Sequence, residues 1–419
     1  MKIIKTNFYI ALFTIVLLSQ LYVSSFKINI FLQIGVLALY FFFEKAVVSI
    51  SFIRQILPLF YIFMLGFVGT LIQKYALFNI IKDIFHIVKP ILGVMIGYFL
   101  FKKIDNFKLF IQIIVLCGFV SAIIHFIILL SVGDLFSGSI NSIREFGRDN
   151  FLELFSIFFL GYYKKFEKAP LFRRKLNHWI LFTILLISNI LYFSRTMIVV
   201  SVILFLSVYG YTVITKKSLK IIVAIIFSIL VFYGYLFSVR IDRSNPGLES
   251  FLYKIKMAPA EVFVTKIDRD NHEDLWDHWR GYEAKRAFQL MLDNPSSFVF
   301  GTGYGSLVNL KFFAPLSDDP KEKGMKYISE LHNGYVYVFY KLGFVGLFIY
   351  LLLLLKWYKQ VYKDKNFMTI YIGAIGLVYL FTTLAISGLY NGRDVIIFIL
   401  GALLFFEQKK KTTLTIESV

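Results

Sequence analysis

The chain has 419 residues, 58% of them hydrophobic and 19% aromatic, with a mean hydropathy of +0.71. That composition excludes a soluble globular protein and implies a polytopic membrane protein. Lys and Arg number 45 against 26 Asp and Glu, a net charge of +19, but the surplus sits in short loops between apolar runs, which argues for membrane topology and against nucleic-acid binding. The single cysteine, Cys117, lies within an apolar run, so an intrachain disulfide and a thiolate metal site are excluded.

The first apolar run lacks a small-residue cleavage site and is followed by many others, so it reads as a span and not as a cleaved signal. About twelve segments approach the roughly 20 residues needed to cross a bilayer. They are 7–25, 28–44, 56–73, 84–101, 108–131, 150–163, 178–194, 196–214, 219–239, 333–355, 367–387 and 392–407. The expected fold is therefore an all-α polytopic membrane protein with about twelve transmembrane helices.

Threading from a cytoplasmic N-terminus makes every second loop basic: Lys2 and Lys5; Lys45 and Arg54; Lys102, Lys103 and Lys108; the run from Lys164 to Lys175, with Lys168; Lys216, Lys217 and Lys220; Lys356 to Lys365; and Lys409 to Lys411. The alternate loops are poor in net charge; the one from Val132 to Asp149 balances Asp134, Glu145 and Asp149 against Arg144 and Arg148. Lys and Arg gather on the cytoplasmic side, so both termini are expected there and the long segment 240–331 outside. The division that follows is 1–239 as transmembrane helices one to nine, 240–331 as a large extracytoplasmic loop with short helices, 332–407 as helices ten to twelve, and 408–419 as a cytoplasmic tail. The loop is too small to fold alone and should pack on the membrane domain.

Pro246, Gly247, Pro259, Pro295 and Pro315 break that loop into pieces. Between Leu275 and Leu292, the positions Trp276, Arg280, Ala284, Ala287 and Met291 share one helical face, which puts Arg280 among apolar neighbours. Asp293-Asn294-Pro295 is the stop.

Four features carry possible chemistry. His332 stands where the polar segment runs into a hydrophobic helix, followed by Asn333 and Gly334 and preceded by Glu330. An imidazole with a carboxylate or amide neighbour can hold one tautomer and accept a proton from a sugar hydroxyl; the plainer reading is a helix-start histidine touching lipid headgroups. Arg195, in the break between two apolar runs, is either an anion ligand or a snorkelling side chain. Arg280 is either a second anion ligand, converging with Arg195 on one diphosphate, or a salt-bridge partner of Glu283 one turn on. Gly301-Thr-Gly303-Tyr-Gly305 follows no βαβ pattern, so it reads as a tight turn beside a bulky substrate and not as a nucleotide cradle.

The acidic stretch Asp268 to His278 lacks the glycine and the terminal glutamate of a calcium loop, and His272 and His278 do not share a helical face. No metal and no cofactor is expected. Arg144 and Arg148 either line the same outer cavity or belong to a solvated loop.

The order of these pieces resembles the O-antigen ligase and polymerase superfamily: Ser194-Arg195 between two spans, an Arg280-led helix in a long outer loop, Asn294-Pro295 before a Gly-x-Gly-x-Gly turn, and His332-Asn333 followed by Leu342-Gly343-Phe-Val-Gly346-Leu. The likeness covers about Leu191 to Leu355. It implies a metal-independent, type C glycosyltransferase in the bacterial inner membrane, with its active site facing the periplasm. Such an enzyme takes a glycan from undecaprenyl diphosphate and passes it en bloc to an acceptor. By position His332 matches the family's histidine, proposed to activate the acceptor hydroxyl, and Arg195 and Arg280 match arginines proposed to hold the diphosphate; Asn333, Glu330 and Glu283 are the supporting residues. The acceptor is another lipid-linked repeat unit in a polymerase and the lipid A core in a ligase, and the motifs do not separate the two; the polymerase is preferred here. Membrane lipid, a chain-length regulator and a flippase are the further expected partners.

Two other classes compete. A lipid-linked oligosaccharide transporter places ionisable groups near the bilayer midplane in two repeated halves, whereas here they cluster towards one face and no repeat is visible. A non-enzymatic assembly partner would tolerate Lys in place of Arg195 and Arg280, because charge alone would serve it.

Overall fold

The computed structural model describes residues 2–44, 47–131, 149–167, 169–242, 245, 248–268, 272–314 and 324–417. Lys45, Arg144, Glu145, Arg148, Lys168, Pro246, Gly247, Pro315 and the stretch 269–271 of the acidic run lie outside the described residues. In chain order the helices are α1 Lys2–Tyr22, α2 Phe26–Phe43, α3 Ile50–Ile72, α4 Leu77–Ile104, α5 Phe107–Ser131, α6 Phe151–Phe166, α7 Lys175–Leu191, α8 Arg195–Val208 and α9 Lys216–Ser238. The long polar segment holds α10 Leu248–Met257, α11 Ala260–Phe263, α12 His272–Asp277, α13 Trp279–Leu292 and α14 Ser297–Phe300, then strands β1 Val308–Ala314 and β2 Met325–Ile328. Helices α15 Gly334–Tyr358, α16 Phe367–Ile386 and α17 Ile396–Glu417 complete the chain.

A helix therefore lies at each of the twelve segments expected to cross. Among the described residues, seven have the length and hydropathy for it (α2, α3, α4, α5, α9, α15 and α16), while α7 and α8 are shorter apolar helices. In hydrocarbon each backbone polar group needs a partner inside the protein. The helices meet that demand at their ends through side-chain caps, with Ser25, Ser49, Asn150, Ser194, Thr215, Asn333 and Asn366 each accepting from a first-turn N–H. Pro58 inside α3 removes the donor that Arg54 would otherwise receive, and the Arg54 carbonyl accepts instead from Lys356 Nζ at 2.6 Å.

Helices α4 and α17 approach most closely where small residues meet: a Cβ on Gly97 would lie 2.1 Å from the Phe398 carbonyl oxygen. Basic loops collect at one end of the bundle, where Lys356 reaches Arg54, Lys409 pairs with Asp105 and Tyr358 donates to the Thr212 carbonyl. At the other end the polar segment docks: Tyr75 donates to the Thr302 carbonyl, Tyr304 to that of Phe63, and Ser387 to that of Leu331.

The polar segment departs from expectation in two ways. Besides short helices it contains an antiparallel hairpin, with Asn309 opposite Tyr327, whose inner face buries Leu310 and Ala314 against Leu275, Trp279 and Tyr282. The helix expected over 275–292 is broken at His278 into α12 and α13. Trp276 is consequently exposed, and the buried side of α13 is Trp279, Tyr282, Glu283, Ala287 and Met291. Arg280 is a quarter exposed and faces a carboxylate where apolar neighbours were expected.

Candidate functional site

The site is strung along α13: Glu283 meets His332 at the N-terminus of α15, and Arg280 meets Glu261 of α11, which also pairs with Arg195 at the N-terminus of α8. Asn333 caps α15: its Oδ1 accepts from the N–H of Tyr335 at 3.0 Å and of Val336 at 3.3 Å, which fixes the backbone immediately before the helix and with it His332. The His332 N–H donates to Glu283 Oε2 at 3.0 Å, and its ring Nδ1 lies 3.1 Å from both carboxylate oxygens. Glu283 is buried to 3% exposure while the His332 side chain is 57% exposed. A carboxylate only accepts, so Nδ1 carries the hydrogen, and Nε2 on the open edge of the ring is the basic nitrogen. Protein around the ring disfavours its charged form, but the hydrogen bond and charge of Glu283 outweigh this and raise the His332 pKa above the ordinary imidazole value.

Expectation assigned these carboxylates differently. Glu330, two residues before His332, turns to α4, where its Oε1 meets His86 Nε2 at 2.8 Å and Lys82 Nζ at 3.2 Å. Protein around the Glu330 carboxyl disfavours its charged form, yet His86 and Lys82 hold its pKa down at about 2. Glu283 does not bridge Arg280 one turn away, because its carboxylate is engaged by His332. Both corrections have one cause: α13 and α4 come from distant parts of the chain, and sequence neighbours lose to groups that the packing brings closer.

Arg195 is the first residue of α8, placed there by the Ser194 cap, whose Oγ accepts from the Met197 N–H at 3.1 Å. Its Nη1 meets Glu261 Oε1 at 3.0 Å and donates to the Lys254 carbonyl. Arg280 Nη1 meets the other oxygen of the same carboxylate, Glu261 Oε2, at 2.5 Å. The two guanidinium groups thus converge on the carboxylate of a glutamate in the short helix α11, where the sequence reading expected a diphosphate. The Arg280 charge also opposes protonation of His332, which places the histidine within electrostatic range of that arginine. Glu261 escaped the sequence reading; its only signal was a lone acid between apolar residues two positions past Pro259.

The three turn glycines have positive φ, 79° at Gly301, 78° at Gly303 and 91° at Gly305. Their neighbours are the protein's own backbone and side chains and not an open groove for a bulky substrate. A Cβ on Gly303 would lie 2.1 Å from the Thr70 nitrogen. Gly343 shows why the turn sits there: at φ 68° and ψ −170° it breaks α15. Carbonyls just before such a break lose their helical donors. Tyr340 O accepts instead from the Thr302 N–H at 2.7 Å, and Lys341 O from the Gly303 N–H at 2.9 Å.

The same turn covers a buried pair that sequence reading also missed. Lys341 Nζ lies 2.5 Å from Asp83 Oδ2, with the Ser306 carbonyl at 2.7 Å, and Asp83 accepts the Gly305 N–H at 2.7 Å. In the acidic stretch, Asp274 pairs with His278 at 3.0 Å and accepts the Asp268 N–H at 2.6 Å, which are local contacts within the loop. Among the described residues no group of three or more metal-binding side chains converges.

Arg195, Glu261, Arg280, Glu283 and His332 all fall in one stretch, residues 180–351, that matches the family model described as O-antigen ligase. No curated protein and no solved structure matches the chain. Over that stretch, 172 of the 419 residues, the chain is similar to O-antigen ligases, and its long apolar helices make it a membrane protein.

Proposed function

We propose that this protein polymerises lipid-linked oligosaccharide repeat units, transferring a glycan from undecaprenyl diphosphate to the hydroxyl of an acceptor glycan at the outer face of the bacterial inner membrane. The observation that carries this reading is one neighbourhood holding a carboxylate-oriented imidazole and two guanidinium groups that share an anion. Glu283 holds His332 so that Nε2 receives the acceptor proton as the new bond from acceptor oxygen to anomeric carbon forms. The bond from that carbon to the diphosphate oxygen breaks in the same transfer, and negative charge gathers on the leaving diphosphate. Arg195 and Arg280 stabilise that charge. A guanidinium has five donors, so a grip on Glu261 through Nη1 leaves capacity for a diphosphate, while Glu261 keeps the two groups in register before the donor arrives. No nucleotide is consumed and no metal is needed for the step. Both termini lie in the cytoplasm in this reading, and residues 240–331 form the outer loop over the site.

The ligase differs only in its acceptor, the lipid A core. Membranes containing the protein, given purified lipid-linked repeat units and no other acceptor, should yield a ladder of longer products. A ladder absent there but restored as a single transfer on adding lipid A core supports the ligase. Transport without any new glycosidic bond rejects both.

A further inference from the structure

A second polar cluster lies beneath the turn between α7 and α8, and the mechanism above does not use it. Glu153 of α6 is fully buried. Its carboxyl accepts from the Ser188 hydroxyl at 2.6 Å, the Tyr192 hydroxyl at 2.8 Å and the Asn150 side-chain amide at 2.8 Å. The ring of His125 from α5 stacks on Tyr192 at 3.9 Å between centroids and 8° between planes, and its Nδ1 lies 2.9 Å from the Ser188 hydroxyl. Tyr192 is therefore fixed twice, by its ring and by its hydroxyl.

The residue after it, Phe193, has φ +44°. A bulky side chain in the left-handed region is strained, and such a conformation persists only where its surroundings over-determine it. Here the surroundings are Tyr192 on one side and the Ser194 cap of α8 on the other. Relaxing Phe193 to an ordinary φ would redirect the start of α8, and Arg195 is its first residue.

We propose that Glu153 and Tyr192 are positioning residues for Arg195, holding the turn so that Phe193 stays left-handed and the guanidinium reaches Glu261 beside Arg280. The membrane helices α5 and α6, outside the stretch that matches the family model, thus set the geometry of the anion pair. The inference rests on reading Arg195 as a diphosphate ligand.

The test is binding of farnesyl diphosphate to the full-length protein in lipid nanodiscs, with thermal melting to confirm folding. Arg195→Gln should weaken binding. Tyr192→Phe should weaken it about tenfold, the scale of one hydrogen bond lost to a buried group. Phe193→Gly should bind like wild type, because glycine adopts positive φ without steric cost. In the Phe193→Gly background, adding Tyr192→Phe should then cost little. Equal losses from Tyr192→Phe in both backgrounds, no loss in either, or a comparable loss from Phe193→Gly alone would overturn the positioning role and leave an Arg195-dependent diphosphate site standing. Binding that Arg195→Gln does not weaken overturns the diphosphate reading and this inference with it. If Tyr192→Phe does not fold, Glu153→Gln, which removes the carboxylate but keeps the volume, takes its place in the same cycle with the same outcomes.

Discussion

Two groups of cations and carboxylates lie at the same end of the bundle and differ in what surrounds them. Lys341 and Asp83 are 0% and 1% exposed, and their remaining bonding capacity goes to the glycine turn, Ser306 and Ser329. Arg195, Arg280 and Glu261 are 21%, 27% and 11% exposed. A pair enclosed by its own chain locks the register of α4, the turn and α15, and no ligand can reach it without breaking it. A pair at an open margin keeps guanidinium donors accessible from outside, as the proposed diphosphate grip requires. Charge in a membrane protein is therefore not by itself a sign of chemistry; access and leftover bonding capacity decide.

The comparison can be broken most directly at the open end. His332→Ala should lower chain extension by about 10²–10⁴-fold, the usual contribution of a general base, with normal insertion and folding. Full-length polysaccharide made by this variant would remove His332 from the mechanism. At the enclosed pair, Lys341→Met strands the Asp83 carboxylate and should cost on the order of 3–5 kcal/mol of stability, read as a large drop in melting temperature or in folded yield. A variant that melts like wild type would show that the pair does not anchor the fold.

Arg280→Lys should do the reverse, leaving melting nearly unchanged while activity falls by about tenfold or more, since an ammonium cannot reproduce two parallel bonds to a diphosphate. Full activity of both Arg280→Lys and Arg195→Lys would point to a non-enzymatic partner. Gly343→Ala places a side chain where only glycine is at ease, with its Cβ about to meet the Val299 carbonyl oxygen; a loss of about 1–3 kcal/mol is expected for the conformation alone. Thermal melting against Gly234→Ala, a helical glycine where an added Cβ has nothing within 4 Å, would check it.

The smallest effect is a shift along the pH axis. In the proposed mechanism His332 works as a base only when neutral, so activity should rise as pH passes its pKa, and Glu283 sets that pKa above the ordinary imidazole value. In Glu283→Gln the carboxylate no longer favours the imidazolium, so the acid limb of the rate profile should move to lower pH. A limb that stays in place, or moves up, contradicts the pairing.

The fold and the position of the site were legible in the sequence to different depths. Runs of apolar residues require internal pairing of every backbone group, which leaves helices as the answer; a helix stands at each expected segment. The same local logic marked His332 before α15 and Arg195 at the start of α8, because a charged side chain at the edge of an apolar run is conspicuous along the chain alone. Partners are another matter. Glu283 belongs to His332 and not to Arg280, Glu330 belongs to His86 and Lys82, and Glu261 joins two arginines 66 and 19 residues away. Asp83 meets Lys341 across 258 positions. What the chain carries in its order is which residues are polar and where they leave the membrane. Which carboxylate neutralises which cation follows from distances across the folded bundle, since hydrogen bonds and buried charges act over a few ångströms and take no account of separation along the sequence.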